Sequence, residues 1–367
     1  MADPVDVTVV TSGHDVADAR LHREVAALRR AGLRVEVLGL GDAAAGPPGA
    51  ATRTTRRRGP LGRAVLAVTL PWRARGRVLL SLDPDSALGC WAAARLRRRR
   101  WVCDVHEDYP SLLRDRPWAT GVAGRLAGAV ARTATAVAAR ADVTVVADDH
   151  LPPTGPSARR RLVVRNLPDP DALRPVRAAR GVKDAALRAA YVGDLRTSRG
   201  LRAMIEAVAA APGWQLDLVG PVAAADEDWL AERLSSPDVA GRVRVHGRLD
   251  PVRSWQAVAG AAVGLALLED TPAFRAAVPT KVYEYLAAGL AVLATPLPRV
   301  AALLDASGGG VLVADAAAAA AVLRDWSADP AALAVVRDRA AAWADEHLDG
   351  AAETDRLATA VSTLLSR

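Results

Sequence analysis

Short apolar runs alternate with amphipathic stretches of helical period, and the alternation begins twice along the chain. Val5–Val10 reads as a strand, Ala17–Arg30 as a helix with Leu21, Val25 and Leu28 on one face, and Val35–Leu38 as the next strand. That opening is a βαβ unit, which implies parallel strands and a right-handed crossover. Val78–Leu82, Trp101–Val105, Val143–Val146 and Leu162–Val164 continue the strands, with helices at Ala87–Leu96 and Gly124–Ala139. Gly39–Thr55 reads as a Gly/Pro/Ala-rich loop, and Arg174–Arg188 as a polar linker. The pattern then restarts with strands at Ala189–Val192, Trp214–Val219, Val243–His246, Val263–Leu267, Ala291–Ala294 and Val311–Ala314. Two doubly wound α/β domains are expected, 1–172 and 186–350, followed by a last helix in 351–367.

Length agrees with two domains: 367 residues, 51% of them hydrophobic, suffice for two cores. The two cysteines, Cys90 and Cys103, have neither metal nor redox spacing, which favours a reducing compartment. No signal-peptide pattern is visible at the N-terminus, and no apolar run approaches the roughly 18–20 residues of a spanning helix. A cytoplasmic location is expected. The net charge of +7 is unevenly placed: Arg53–Arg100 holds 13 Arg against Asp83 and Asp85. Such a patch calls for an anionic partner or surface, a solvated arginine-rich surface being the simpler alternative. Arg56-Arg57-Arg58 and the apolar stretch from Leu61 suit peripheral contact with an anionic membrane. Base stacking is poorly served, with only Trp72 and Trp91 interleaved, so no nucleic acid is expected.

Ligands of doubly wound sheets bind beyond the carboxyl ends of the strands. His14, Asp83, His106, Arg199 and Lys281 all follow strands. Lys281 stands out, because all but two of the 48 basic residues are arginine. It falls in the first turn of a helix that opens at Pro279 or Thr280 and stops at Gly289. There the helix dipole favours anions. Arg199 repeats the anomaly at the helix start Thr197-Ser198-Arg199-Gly200, after a strand ending at Gly193. Two such cations point to a bound diphosphate. Glu284 shares a helix face with Lys281 and could accept from a ribose diol, or simply pair with the lysine. His106 could bond a sugar hydroxyl or cap its strand, and His14 has the same two readings. Asp83-Pro84-Asp85 and Asp169-Pro170-Asp171 have metal-pair spacing, but no metal is expected, since the two cations already supply counter-charge. Neither a Walker loop nor G-x-G-x-x-G after the first strand is present.

Four stretches, in order, resemble the GT-B glycosyltransferases of the glycogen-synthase-like group, family 4. They are Thr11-Ser12-Gly13-His14 with Asp18-Ala19-Arg20; Asp104-Val105-His106-Glu107-Asp108-Tyr109-Pro110; Gly193 through Gly200; and Pro279-Thr280-Lys281-Val282-Tyr283-Glu284 through Gly289. The resemblance implies two Rossmann-like domains facing a cleft, the first for acceptor and the second for a nucleoside-diphosphate sugar, with the last helix crossing back onto the first. It implies that Arg199 and Lys281 hold the donor diphosphate, Glu284 the ribose, and His106 the sugar or acceptor. Gly13 would let the first loop approach the phosphates. Retaining transfer without cofactor or essential metal follows.

Two departures from the family stand out. Its second glutamate falls on Ala276, and the arginine usual after the first donor-loop glycine is Asp194. A nucleotide-sugar epimerase of the same architecture is the nearest alternative, and a basic nucleic-acid or membrane-binding module the more distant one.

Overall fold

The structure is a computed structural model that describes residues 4–56, 59–106, 121–153, 160–168, 170–179 and 187–366. It divides into two compact units, one of Met1–Asn166 with Gly350–Arg367 and one of Leu167–Asp349.

The first unit is built on a seven-stranded sheet. Its strands are β1 (Val7–Asp15), β2 (Val35–Leu40), β3 (Ala51–Thr55), β4 (Val78–Ser81), β5 (Arg100–Val105), β6 (Val143–Val146) and β7 (Arg161–Val163). The order is β3-β2-β1-β4-β5-β6-β7, with every pair parallel. The inner strands, such as β4 and β6, are Val/Leu-rich runs because both faces are covered. Helices Ala19–Arg30 and Gly350–Leu365 supply one core, and Pro60–Thr69, Pro84–Leu96 and Gly121–Ala138 the other. The chain therefore returns after the second unit to place its last helix against Ala19–Arg30, where Arg30 pairs with Asp355 at 2.8 Å.

Two expectations for this unit change. The segment 39–55, read as a loop, contains β3, which pairs with β2 from Ala51 to Thr55. Thr11–His14, read as a turn, continues β1, with a shift in register between Val10 and Asp15. Asp18 then caps the first helix, accepting from the amides of Arg20 and Leu21.

The second unit holds β8 (Arg188–Val192), β9 (Gln215–Val219), β10 (Val243–Val245), β11 (Val263–Ala266), β12 (Ala291–Ala294) and β13 (Gly310–Leu312). All are parallel, in the order β10-β9-β8-β11-β12-β13. The expected polar linker is in part the helix Pro170–Ala179, whose Leu173 and Val176 are buried beside Trp255 and Tyr285. A short helix, Pro272–Ala276, interrupts what reads as loop before Pro279. Thr280–Ala288 is the expected helix, closed by Gly289 at φ 69° and followed by β12. Strand order reverses between β1 and β4 in the first unit, and between β8 and β11 in the second. The loops leaving those strands therefore border the crevices where such sheets take ligands.

Candidate functional site

In the second unit, β8 delivers Tyr191 and Gly193 to the switch point, and the Thr280–Ala288 helix delivers Lys281. The lysine is 7% exposed, and its ammonium lies 4.6 Å from the centroid of the Tyr191 ring. That cation–π contact is its polar anchor. It forms no hydrogen bond or ion pair among the described residues, so the alternative reading of Glu284, a pair with this lysine, is not seen. A Cβ at Gly193, whose φ is 144°, would stand 3.4 Å from Lys281 Nζ. Glycine thus leaves backbone open beside a nearly buried cation. Glu284 is half-buried one turn further along the helix.

Tyr285 fixes the helix to the sheet. Its hydroxyl donates to Leu265 O at 3.3 Å and accepts from Val192 N at 3.4 Å. Its ring fills the space a side chain at Gly264 would need. Burial pushes its phenol well above the usual range, keeping it neutral.

The loop after β8 is held by Asp226, which accepts from Thr197 N at 3.0 Å and from the Thr197 hydroxyl. Arg199 ends the 3-10 turn Thr197–Arg199, half-buried and without a side-chain hydrogen bond or ion pair among the described residues. Arg196 is an addition that sequence reasoning missed. It donates to Asp194 at 2.8 Å, while its Nε is buried with no partner among the described residues. A cation therefore stands two residues beyond Asp194. Ala276 ends the Pro272–Ala276 helix, and its carbonyl accepts from Arg299 at 2.8 Å.

In the first unit, the loop at the end of β1 is organised by Asp83. This buried carboxylate accepts from Thr11 Oγ1 at 2.6 Å, Ser12 N at 2.9 Å, Gly13 N at 3.1 Å and Ser86 N at 2.9 Å. Burial opposes its ionisation, but the charge of His14 and the bonds from Thr11 and Ser86 hold it below the usual carboxylate range. Asp85 pairs with Arg63, whose guanidinium lies over Gly13. Both acids of the Asp83-Pro84-Asp85 triplet are thus engaged within the fold. Of Asp169-Pro170-Asp171, Asp169 lies outside the described residues. Among the described residues no group of three His, Cys, Asp or Glu side chains is placed to hold a metal ion.

His14 and His106 meet edge to face, ring centroids 5.0 Å apart. Each has a carboxylate behind it: Asp18 is 3.6 Å from His14 Nδ1, and Asp104 is 3.3 Å from His106 Nδ1. Arg20 donates to both oxygens of Asp104, at 2.7 and 2.6 Å, and lies 3.1 Å from Glu24. Burial raises the carboxyl pKa of Asp104, yet Arg20 and His106 hold it down at about 2. Asp18 is likewise depressed against its burial, chiefly by His14. Burial and the Asp104 charge push Glu24 the other way, well above the carboxylate range. Asp104 and Arg20 lie inside the quoted motifs, but nothing in their spacing foretells that they meet. Glu107–Pro110 lie outside the described residues.

Residues 186–329 match the family model described as Glycosyl transferases group 1. Over the whole chain, the fold matches HepE of Anabaena crystallised with UDP and glucose, at 16% identity and a TM-score of 0.71, covering 98% of this chain and 100% of that one. Sucrose-phosphate synthase of Thermosynechococcus elongatus matches at 16% identity and 0.71, covering 99% of each chain. WaaG, a glycosyltransferase involved in lipopolysaccharide biosynthesis, matches at 17% identity and 0.64, covering 97% of this chain and 99% of WaaG. No curated protein matches the sequence. At these identities the structures speak for the fold, which is GT-B.

Proposed function

We propose that this chain, a GT-B protein whose residues 186–329 carry a glycosyl transferases group 1 domain, is a glycosyltransferase that moves a sugar from a nucleoside-diphosphate donor to an acceptor hydroxyl with retention. The carrying observation is Lys281, an ammonium nearly buried in the first turn of a helix at the switch point, beside open glycine backbone and without an ion-pair partner among the described residues. A buried charge without a counter-ion is costly. A diphosphate would offset that cost, drawing also on Arg199 and the amide end of the helix. As the glycosidic bond breaks, negative charge grows on the departing diphosphate, and fixed cations lower the barrier by stabilising it. These side chains supply the counter-charge, so the reading needs no metal. Glu284 would take the ribose.

The histidine pair of the first unit is assigned to acceptor or sugar contact, with Gly13 giving the donor phosphates room to approach. HepE binds UDP-glucose in its crystals, which makes UDP the first nucleotide to try. An epimerase reading gains no support from the family match.

The test is differential scanning fluorimetry with UDP, GDP, TDP and ADP. One of them is expected to raise the melting temperature of the wild type by several degrees and that of Lys281→Ala hardly at all. Equal stabilisation of both proteins would end the diphosphate assignment. Release of nucleotide from the matching nucleotide sugar, lost in Lys281→Ala, is the activity counterpart.

A further inference from the structure

We propose that the outer surface of the three-helix layer on the first unit docks onto a lipid bilayer containing anionic headgroups. This layer comprises Pro60–Thr69, Pro84–Leu96 and Gly121–Ala138, packed side by side over one face of the sheet. The inference stands on this surface alone and does not depend on the donor site.

Two independent properties coincide there. The first is apolar exposure. Six large hydrophobic side chains are exposed among the described residues, and four of them, Val65 (56%), Val68 (58%), Leu96 (74%) and Val130 (47%), lie on these helices. The other two, Val252 and Val335, fall on separate helices of the second unit. Single exposed apolar residues carry no message, but four of six falling on one layer do. Two half-buried indoles, Trp72 and Trp91, adjoin it, and Arg97 stacks over Trp72 at 5.4 Å. Indoles suit the headgroup boundary, where one end is apolar and the other wet.

The second property is charge. Arg95, Arg97, Arg98, Arg125 and Arg132 are exposed along these helices and the turn that ends the middle one. The acids within the same stretches are Asp83, which is buried, and Asp85, which Arg63 neutralises. The same helices thus carry exposed side chains of one charge sign and exposed apolar ones. Lipid satisfies both parts: headgroups take the arginines and the acyl boundary takes valine and leucine. A nucleic acid would leave the apolar cluster facing water or phosphate. No helix among the described residues is long and apolar enough to cross a membrane, so the contact is peripheral.

Arg98 gives the surface a handle. It follows the Pro84–Leu96 helix with a φ of 54°, a left-handed conformation in which glycine is at ease and arginine is strained. The chain keeps an exposed guanidinium where a helix would ordinarily end on glycine. Arg98→Gly should thus improve the fold while weakening the docking.

The experiment is co-sedimentation of the full chain with vesicles of phosphatidylcholine alone, or of phosphatidylcholine with about one third phosphatidylglycerol. Binding is expected to the anionic vesicles only, and to fall steeply at high salt, where the screening length shrinks to about 3 Å at 1 M. Arg98→Gly is expected to bind about fivefold more weakly, with an equal or higher melting temperature. The triple variant Val65→Ser, Val68→Ser, Leu96→Ser, all at exposed positions, is expected to fold normally and lose at least tenfold. Absence of binding, equal binding to both vesicle types, or unchanged binding by the triple variant would overturn the proposal. So would duplex DNA displacing the protein from vesicles while binding the triple variant as tightly as the wild type, since the surface would then be a nucleic-acid site.

Discussion

Lys281 places an ammonium where burial and the helix dipole both disfavour it. A residue kept against its own stability is expected to trade stability for binding. Lys281→Met preserves the volume and the contact with Tyr191 while deleting the charge. Its melting temperature should equal or exceed that of the wild type, whereas nucleotide affinity should fall by about 30- to 150-fold, the worth of a charge-assisted contact of about 2–3 kcal/mol. Calorimetric titration and a thermal melt of the same preparation check both halves. A melting point that fell together with affinity would make the lysine structural. The position was legible because lysine is rare here: a second choice of cation in an arginine-rich chain draws notice. Arg196 was illegible for the converse reason. One arginine among many carries no mark, and only the fold shows its Nε buried without a partner among the described residues and its fork turned to Asp194.

Among the elements, the end of β1 depends on a side chain from elsewhere. Thr11 Oγ1, Ser12 N and Gly13 N all converge on the carboxylate of Asp83, some 70 positions away in sequence. Asp83→Ala would leave buried donors unpaired and is expected to cost about 3 kcal/mol or more in urea denaturation, with Asp83→Asn losing less because one oxygen remains. A metal-ligand role would instead predict stability that responds to chelators. In the second unit, Gly264→Ala should be as severe, since the added methyl meets the Tyr285 ring, whose hydroxyl ties the Lys281 helix to Val192 and Leu265.

Which elements were readable follows from how each is stabilised. Strands buried on both faces announce themselves as apolar runs. β3 does not, because Ala51–Thr55 is a partly exposed edge strand of Thr and Arg, held by pairing with β2. The Pro170–Ala179 helix was hidden by its polar composition and by Pro175 inside it, though Leu173 and Val176 anchor it in the core. The turn-like Thr-Ser-Gly of β1 likewise gave no hint of the extended backbone that Asp83 enforces.

For the whole molecule, the two units differ in how they store charge. Asp18, Asp83 and Asp104 all belong to the first unit, all are buried or half-buried, and all are held below the ordinary carboxylate pKa by His14, His106, Arg20 and backbone or hydroxyl donors. A carboxyl with a depressed folded-state pKa stabilises fully above its unfolded value, about 3.9, and loses that contribution as pH falls through the folded value. For Asp104 that window runs from about 4 down to about 2. Glu24 has the opposite sign. Its raised pKa favours the folded state at low pH, and the contribution declines as pH rises above about 4.3, where the unfolded chain ionises and the buried group does not.

Acidification should therefore loosen the first unit ahead of the second. Hydrogen exchange followed by mass spectrometry at pH 3 and pH 7 is expected to show protection lost first in peptides of β1, β5 and the Ala19–Arg30 helix. Asp104→Asn should flatten the acid side of the stability profile and lower the plateau, because Arg20 would then be a buried cation with its main partner gone. Glu24→Gln should leave the acid side unchanged and raise stability at neutral pH, since the amide carries no proton to lose. Loss of protection in both units at the same pH would place the acid sensitivity outside this network. The same comparison bears on function: the carboxylates that set the acid limit lie behind His14 and His106, so the pH that loosens the unit should also displace the two rings proposed to meet sugar or acceptor.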